Sequence, residues 1–191
     1  MKIGLFGGSF DPVHMGHLFV AQAAREEAGL DRIFFIPAAQ SPFKEDAKPI
    51  SAAQRLLLLR LALAGECDTE IDTQEINRGG VSYTIDTIRN YSGRFPQAQL
   101  FYIIGADHLT QLPQWREAKE LAQRTQFIVV PRPGETIGQI PAPFTGQVLN
   151  GVPLGISSSQ IRARIRAGQR FDHLLPSTVA EAIKNNRLYR D

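Results

Sequence analysis

Short apolar runs alternate with segments of helical periodicity along this chain. The strand-length apolar runs are residues 3–6, 30–36, 100–104 and 127–130, with weaker ones at 70–72 and 147–149. Between these runs apolar residues recur at helical spacing, and the capping patterns Ser51–Gln54 and Ser157–Gln160 mark two helix starts. Strands that alternate with helices favour a parallel sheet covered on both faces. The pattern therefore predicts an α/β fold, a doubly wound Rossmann-like parallel sheet flanked by helices.

We expect residues 1–191 to form a single domain that ends in a helical segment at about 157–191. Hydrophobic residues make up 43% of the chain, which is enough for a core and excludes extensive disorder. The net charge of +2 gives no strong indication of a nucleic-acid partner. Residues 56–64 are leucine-rich but too few to cross a bilayer, and the first residues do not form a signal peptide. A single cysteine fits a reducing compartment, so we expect a cytoplasmic protein without a membrane partner. The sequence does not indicate an oligomeric state.

The stretch from Lys2 to Leu18 has the most specific pattern in the chain. It consists of an apolar strand, the glycine pair Gly7 and Gly8, and a helix that begins near His14 and His17. Their three-residue spacing predicts that both imidazoles lie on one face of the first helical turn. The free N–H groups and the dipole at a helix start favour an anion. The stretch therefore predicts a site for a ligand that carries phosphate.

Other interpretations of the two histidines are weaker. Neither G-x-G-x-x-G nor the P-loop pattern is present. His14 could cap the turn while His17 packs in the core, but both lie where open α/β sheets bind ligands. A zinc site would need a third ligand, and the nearby Asp11 precedes a proline and does not share the helix face. We therefore predict a phosphate site and no protein-bound metal.

Further polar residues fall at strand ends or helix starts, which this fold places at one edge of the sheet. Lys44, in a loop, is either a solvated surface charge or a flexible cation for phosphate. Arg162 lies one helical turn after Ser158, which suits a grip on a polyphosphate, although ordinary capping and a surface arginine would also explain the pattern.

Three more positions have two interpretations each. Asp107 either accepts a hydrogen bond from a ribose hydroxyl or caps the next helix. Trp115 belongs to the core or provides a surface on which an aromatic ring stacks. Tyr83 and Thr84 begin a helix whose N–H groups could hold a small carboxylate, or they simply cap it.

Five segments resemble a known enzyme family. The segment GGSFDPVHMGHL resembles the H-x-G-H signature of the nucleotidylyltransferase superfamily. The segments RGGVSYTIDT, GAD with LPQW, and ISSSQIR are similar to those of bacterial nicotinate-nucleotide adenylyltransferases. The resemblance extends from Lys2 to Arg162. It implies transfer of the adenylyl group of ATP to nicotinate mononucleotide, giving deamido-NAD and pyrophosphate in NAD biosynthesis, with Mg²⁺ bound to ATP.

The resemblance also implies roles for individual residues. The implied catalytic residues are His14, His17, Lys44 and Arg162. The implied ATP-binding residues are Gly7, Gly8, Ser9, Phe10, His14, His17, Asp107, Ser157, Ser158 and Arg162. The implied residues for the second substrate are Ser82, Tyr83, Thr84 and Trp115. The chain departs from the family pattern at Phe43, where many members have histidine, and at Ser159, where threonine is common.

The attacking phosphate is already anionic near neutral pH, so the expected mechanism is direct in-line transfer without a general base. Alternative acceptors are nicotinamide mononucleotide, alone or with dual specificity, and pantetheine phosphate. The segments SYTIDT and LPQW disfavour the last. A nucleotide sensor without turnover is an alternative of a different class.

Overall fold

The computed structural model describes residues 1–40, 49–134, 138–151 and 154–190. Its six strands are all parallel and lie in the order β3-β2-β1-β4-β5-β6. The strands are β1 (Lys2–Gly8), β2 (Arg32–Pro37), β3 (Thr69–Ile71), β4 (Gln99–Gly105), β5 (Gln126–Val130) and β6 (Gly146–Val148). The predicted doubly wound Rossmann-like sheet is confirmed.

Seven α-helices lie among the described residues. They are α1 (Met15–Ala28), α2 (Ala52–Ala62), α3 (Gln74–Arg78), α4 (Thr84–Arg94), α5 (Ala118–Arg124), α6 (Ser158–Arg166) and α7 (Ser177–Asn185). Two 3-10 helices cover Ala106–Gln114 and Asp172–Leu174. The capping box predicted at Ser51 and Gln54 is present, and Ser157 caps α6 by accepting a hydrogen bond from the Gln160 N–H. None of the helices in the described part of the chain is both long and apolar enough to cross a membrane.

The central strands are apolar on both sides because each side of the sheet packs against its own core. In β2, Ile33 and Phe35 belong to one hydrophobic cluster, while Phe34 and Ile36 belong to the other. Side chains of a strand point alternately to the two faces, so a strand buried on both faces appears in the sequence as an unbroken apolar run. This explains why the sequence pattern located these strands.

Several local details differ from the sequence prediction. The five-residue helix α3 was not foreseen, because so short a helix has no visible apolar period. Helix α5 begins only at Ala118, since Glu117 before it has a left-handed backbone conformation with φ of 54°. The segment after β4 forms a 3-10 helix that contains Pro113.

The strand order determines where a ligand can bind. The chain runs outward from β1 through β2 to β3 and then returns to place β4 on the other side of β1. At this reversal the segments that follow β1 and β4 leave in opposite directions and open a crevice at the carboxyl ends of the strands. The glycine pair of β1 and the residues after β4 therefore face the same crevice.

Candidate active site

A cleft with a volume of about 490 Å³ lies at the carboxyl ends of β1 and β4. Among the residues predicted from the sequence, those that line it are Gly7, Gly8, Ser9, Ser82, Thr84, Asp107 and Trp115. Lining residues that the sequence did not single out include Glu75, Tyr102, His108, Gln111 and Arg132. The fold thus brings the glycine turn of β1 and the start of α4 to one cleft, although they are more than seventy residues apart.

A second cavity of about 400 Å³ shares part of its wall with this cleft. Both are lined by Ser82, Thr84, Gln111 and Trp115. The second cavity adds Tyr83 and Arg116, whose guanidinium carbon lies 4.7 Å from the centre of the Tyr83 ring. The predicted second-substrate residues therefore form a wall shared by two neighbouring cavities.

The two histidines stack on each other at the start of α1. Their ring centres are 3.8 Å apart, and the backbone N–H of His14 donates to Nδ1 of His17 over 3.2 Å. A nitrogen that accepts a hydrogen bond carries no proton, so the proton of a neutral His17 lies on Nε2. A Cβ atom on Gly16 would lie 3.0 Å from the His14 ring. Glycine between the histidines therefore leaves room for this ring to fold back over the helix start.

His14 is neutral at physiological pH. Its side chain is buried, and this burial lowers its pKa to about 4, with a further contribution from the positive charge of Arg132. Nδ1 of His14 is buried without a hydrogen-bond partner in the described part of the chain. In the unliganded protein His14 can therefore offer a hydrogen bond but no positive charge.

Helix α6 is attached to the turn that precedes the histidines. Nη1 of Arg162 donates to the carbonyl oxygen of Asp11 over 2.7 Å, and Oγ of Ser158 donates to the carbonyl oxygen of Pro12 over 2.9 Å. The Arg162 side chain is only 20% exposed. The start of α6, where Ser157 is the N-cap, therefore lies beside the histidine turn, as expected for parts of one anion site.

Two further side chains hold the same turn, and sequence reasoning missed both. The buried Arg55 of α2 donates from Nη1 to the carbonyl oxygen of Ser9 over 2.8 Å. The hydroxyl of Tyr189 donates to Oδ1 of Asp11 over 2.8 Å. Arg55 belongs to no motif and Tyr189 lies near the end of the chain, so no local signal connects them with the site.

A buried carboxyl group organises the start of α4. Glu75 accepts hydrogen bonds from the hydroxyls of Thr87 and Ser82, and its burial raises its pKa. Ser82 in turn accepts from the backbone N–H of Ala39, at the end of β2. These bonds fix the position of the helix start that lines both cavities.

Gly7 is required for space. A Cβ atom at this position would lie 2.2 Å from the hydroxyl oxygen of Tyr102. This hydroxyl forms a hydrogen bond with the side chain of Thr84. The glycine that we expected to admit a ligand therefore also admits Tyr102, which connects the glycine turn to the start of α4.

The remaining predicted residues have different surroundings. Phe10 is buried and packs against Phe6, Phe35 and the ring of His17, so its side chain belongs to the core. Asp107 is exposed, with Oδ1 3.6 Å from Nη2 of Arg132.

Trp115 lies between the core and the two cavities. It lines both cavities and also packs edge-to-face against the core rings of Tyr102 and Phe127. Lys44 and Phe43 lie outside the described residues. Across the described residues, no three His, Cys, Asp or Glu side chains come together in a way that could hold a metal ion.

Comparison with known proteins places the chain in a family. Residues 5–164 match the cytidylyltransferase-like family. The chain is 41% identical to a probable nicotinate-nucleotide adenylyltransferase of Opitutus terrae, over 100% of this chain and 98% of that protein. It is 39% identical to a protein of the same description from Thermus thermophilus, over the full length of both.

Solved structures share the fold. A Plasmodium falciparum nicotinic acid mononucleotide adenylyltransferase complexed with NaAD superposes with a TM-score of 0.84 and 18% identity, covering 98% of this chain and 97% of that one. A putative nicotinate-nucleotide adenylyltransferase from Vibrio parahaemolyticus gives a TM-score of 0.73 at 20% identity, covering 100% and 97%. The family match and the full-length sequence relatives show that the chain belongs to the cytidylyltransferase-like family, and within it to the nicotinate-nucleotide adenylyltransferases.

Proposed function

We propose that this protein transfers the adenylyl group of ATP to nicotinate mononucleotide, giving deamido-NAD and pyrophosphate in NAD biosynthesis. A phosphate oxygen of the mononucleotide forms a bond to the α-phosphorus of ATP. The bond from that phosphorus to the bridging oxygen breaks, and its electron pair leaves with pyrophosphate. The full-length relatives named nicotinate-nucleotide adenylyltransferases support this reaction.

One structural observation carries the proposal. A single cleft is lined by the glycine turn of β1 and by the start of α4 with Trp115. The first is suited to phosphate groups and the second to an aromatic ring that bears a small polar group. An enzyme that joins two nucleotides must hold both kinds of group next to each other.

Positioning and charge stabilisation are sufficient for this reaction. The acceptor phosphate is anionic at neutral pH, so the transfer needs neither a general base nor an enzyme nucleophile. In our proposal His14 and His17 donate hydrogen bonds to the phosphates of ATP, whereas Arg162 and Lys44 supply positive charge. The neutral state of His14 and the protonated Nε2 of a neutral His17 support the role of donors.

The other predicted residues surround the two substrates in this proposal. Main-chain groups of residues 7–10 and the α6 start at Ser157 and Ser158 approach the ATP phosphates, and Asp107 accepts from its ribose. The N–H groups of Tyr83 and Thr84, next to Ser82, are donors for the nicotinate carboxylate, and Trp115 packs against the pyridine ring. The assignment is supported by those of these residues that line the two cavities, which are Gly7, Gly8, Ser9, Ser82, Tyr83, Thr84, Asp107 and Trp115.

Nucleotidyltransferases generally use a divalent metal ion, and we propose that here it is Mg²⁺ bound to ATP. Mg²⁺ prefers oxygen ligands and keeps several waters, so the ATP phosphates and water would supply most of its ligands. When bound, Mg²⁺ neutralises charge on the phosphates. We also propose that residues 1–191 work as one cytoplasmic domain, which the contacts of α6 with the histidine turn and the single cysteine support.

The direct test is pyrophosphate release with ATP, Mg²⁺ and each mononucleotide in parallel. We expect a strong preference for nicotinate mononucleotide. The start of α4 offers N–H donors, and a carboxylate needs only donors, whereas a carboxamide also needs an acceptor. Equal rates with the amide would indicate dual specificity. No release with either acceptor would contradict the proposal and favour a sensor.

Replacing His17 tests the phosphate-binding turn. His17→Ala should lower kcat by about 100-fold while the KM values change by less than about threefold, because the histidine acts mainly on charge that develops in the transition state. His173→Ala is the matched control, since His173 is exposed in the 3-10 helix Asp172–Leu174. A His17 variant with unchanged kcat would remove His17 from the mechanism.

The low pKa of His14 predicts a pH-dependent stability. Between an ordinary pKa near 6.5 and the folded value of about 4, the unfolded chain binds a proton that the folded protein does not, so stability falls as the pH is lowered through this window. Between pH 8 and pH 5 the protonation of His14 should lower the free energy of unfolding by about 2 kcal/mol. Urea unfolding at the two pH values measures this loss. In His14→Gln the loss should be smaller than in the wild type by about 2 kcal/mol. Identical losses in both proteins would show that the pKa of His14 is not lowered.

A further inference from the structure

The chain makes two unusual bends after α7. Arg187 and Tyr189 both have left-handed backbone conformations, with φ of 52° and 64°. Side chains other than glycine rarely adopt this conformation, so the surrounding contacts must hold it in place. Leu188, between them, is buried in the hydrophobic cluster, and the second bend brings Tyr189 to the turn that precedes the histidines.

At that turn Tyr189 contacts a buried carboxylate. Its hydroxyl donates to Oδ1 of Asp11 over 2.8 Å, and Asp11 is only 5% exposed. An ionised carboxylate is an acceptor with two oxygens, and a buried one must find donors for both. Tyr189 satisfies one of them with a neutral donor.

Two arginines compete for the same carboxylate. Nη1 of Arg162 lies 3.7 Å from Oδ2 of Asp11, too far for a hydrogen bond, and instead donates to the Asp11 carbonyl. The buried Arg55 donates to the carbonyl of Ser9. Neither guanidinium forms a two-point pair with Asp11 in this arrangement, in which the Tyr189 hydroxyl binds Oδ1 and Arg162 approaches only Oδ2.

We propose that Tyr189 is a positioning residue that keeps Arg162 available to the polyphosphate of ATP by occupying Oδ1 of Asp11. The inference rests on the role of Arg162 in the proposed function. Without the hydroxyl, Oδ1 is a buried acceptor that has lost its donor and lies near the Arg162 guanidinium, and a bidentate pair between guanidinium and carboxylate is the favoured arrangement. Arg162 then turns inward, and the polyphosphate loses its partner.

The first measurement is calorimetric binding of ATP with Mg²⁺ to the wild type and to Tyr189→Phe. We expect the Kd of ATP to rise about tenfold, a loss typical of one interaction with a charged group. Tyr91→Phe is the matched control, because it also deletes a tyrosine hydroxyl that donates to an aspartate, Asp72, over 2.7 Å. Tyr91 lies in the other hydrophobic cluster, so its variant should bind ATP within twofold of the wild type.

A double-mutant cycle separates this role from simple anchoring of the chain end. In an Arg162→Ala background, Tyr189→Phe should change the Kd of ATP by less than twofold, because the arginine through which it acts is absent. A tenfold effect that persists in this background would overturn the proposal. So would a Tyr189→Phe protein that binds ATP as well as the wild type.

Turnover distinguishes failure of this inference from failure of the proposed function. In the pyrophosphate assay Tyr189→Phe should raise the KM for ATP about tenfold and leave the KM for nicotinate mononucleotide within twofold. Equal increases in both would indicate a general structural defect and contradict the positioning role. A wild type without turnover would refute the proposed function, while the binding cycle would still decide whether Tyr189 acts through Arg162.

Discussion

Three carbonyl groups of the turn between β1 and α1 accept hydrogen bonds from side chains that are distant in the sequence. The carbonyl of Ser9 accepts from Arg55, that of Asp11 from Arg162, and that of Pro12 from Ser158. A turn lacks the regular backbone hydrogen bonds of a helix or a sheet, so its shape depends on such side-chain partners. The position of the stacked histidines therefore depends on α2 and α6 as much as on the local sequence.

The same contacts determine the electrostatics of the site. A buried aspartate lies beside Arg55 and Arg162, while the neighbouring His14 is kept neutral by burial and by the charge of Arg132. In the proposed function the positive charge comes from Arg162, Lys44 and helix N-termini, and the histidines contribute hydrogen bonds. This arrangement suits phosphoryl chemistry, in which the protein mainly positions the reactants and stabilises charge.

The parts of the fold and of the site that could be predicted are those with a recognisable pattern in the local sequence. Apolar runs located the strands, and the glycine pair with two histidines located the turn between β1 and α1. Trp115 and the start of α4 were also singled out, and both line the cleft. Glu75, Arg55 and Tyr189 were missed because each is defined by a contact with residues far away in the chain. Even for Gly7, the fit of the Tyr102 hydroxyl depends on the pairing of β1 with β4.

In the proposed mechanism the two substrates react directly while the protein holds them in place. The stereochemical course at the α-phosphorus tests this claim most directly, with ATP that carries a sulfur atom at one defined non-bridging position of that phosphorus. Direct in-line transfer predicts inversion of configuration in the dinucleotide product. Retention would mean two successive displacements through a covalent adenylyl-enzyme, and it would contradict a mechanism based on positioning alone.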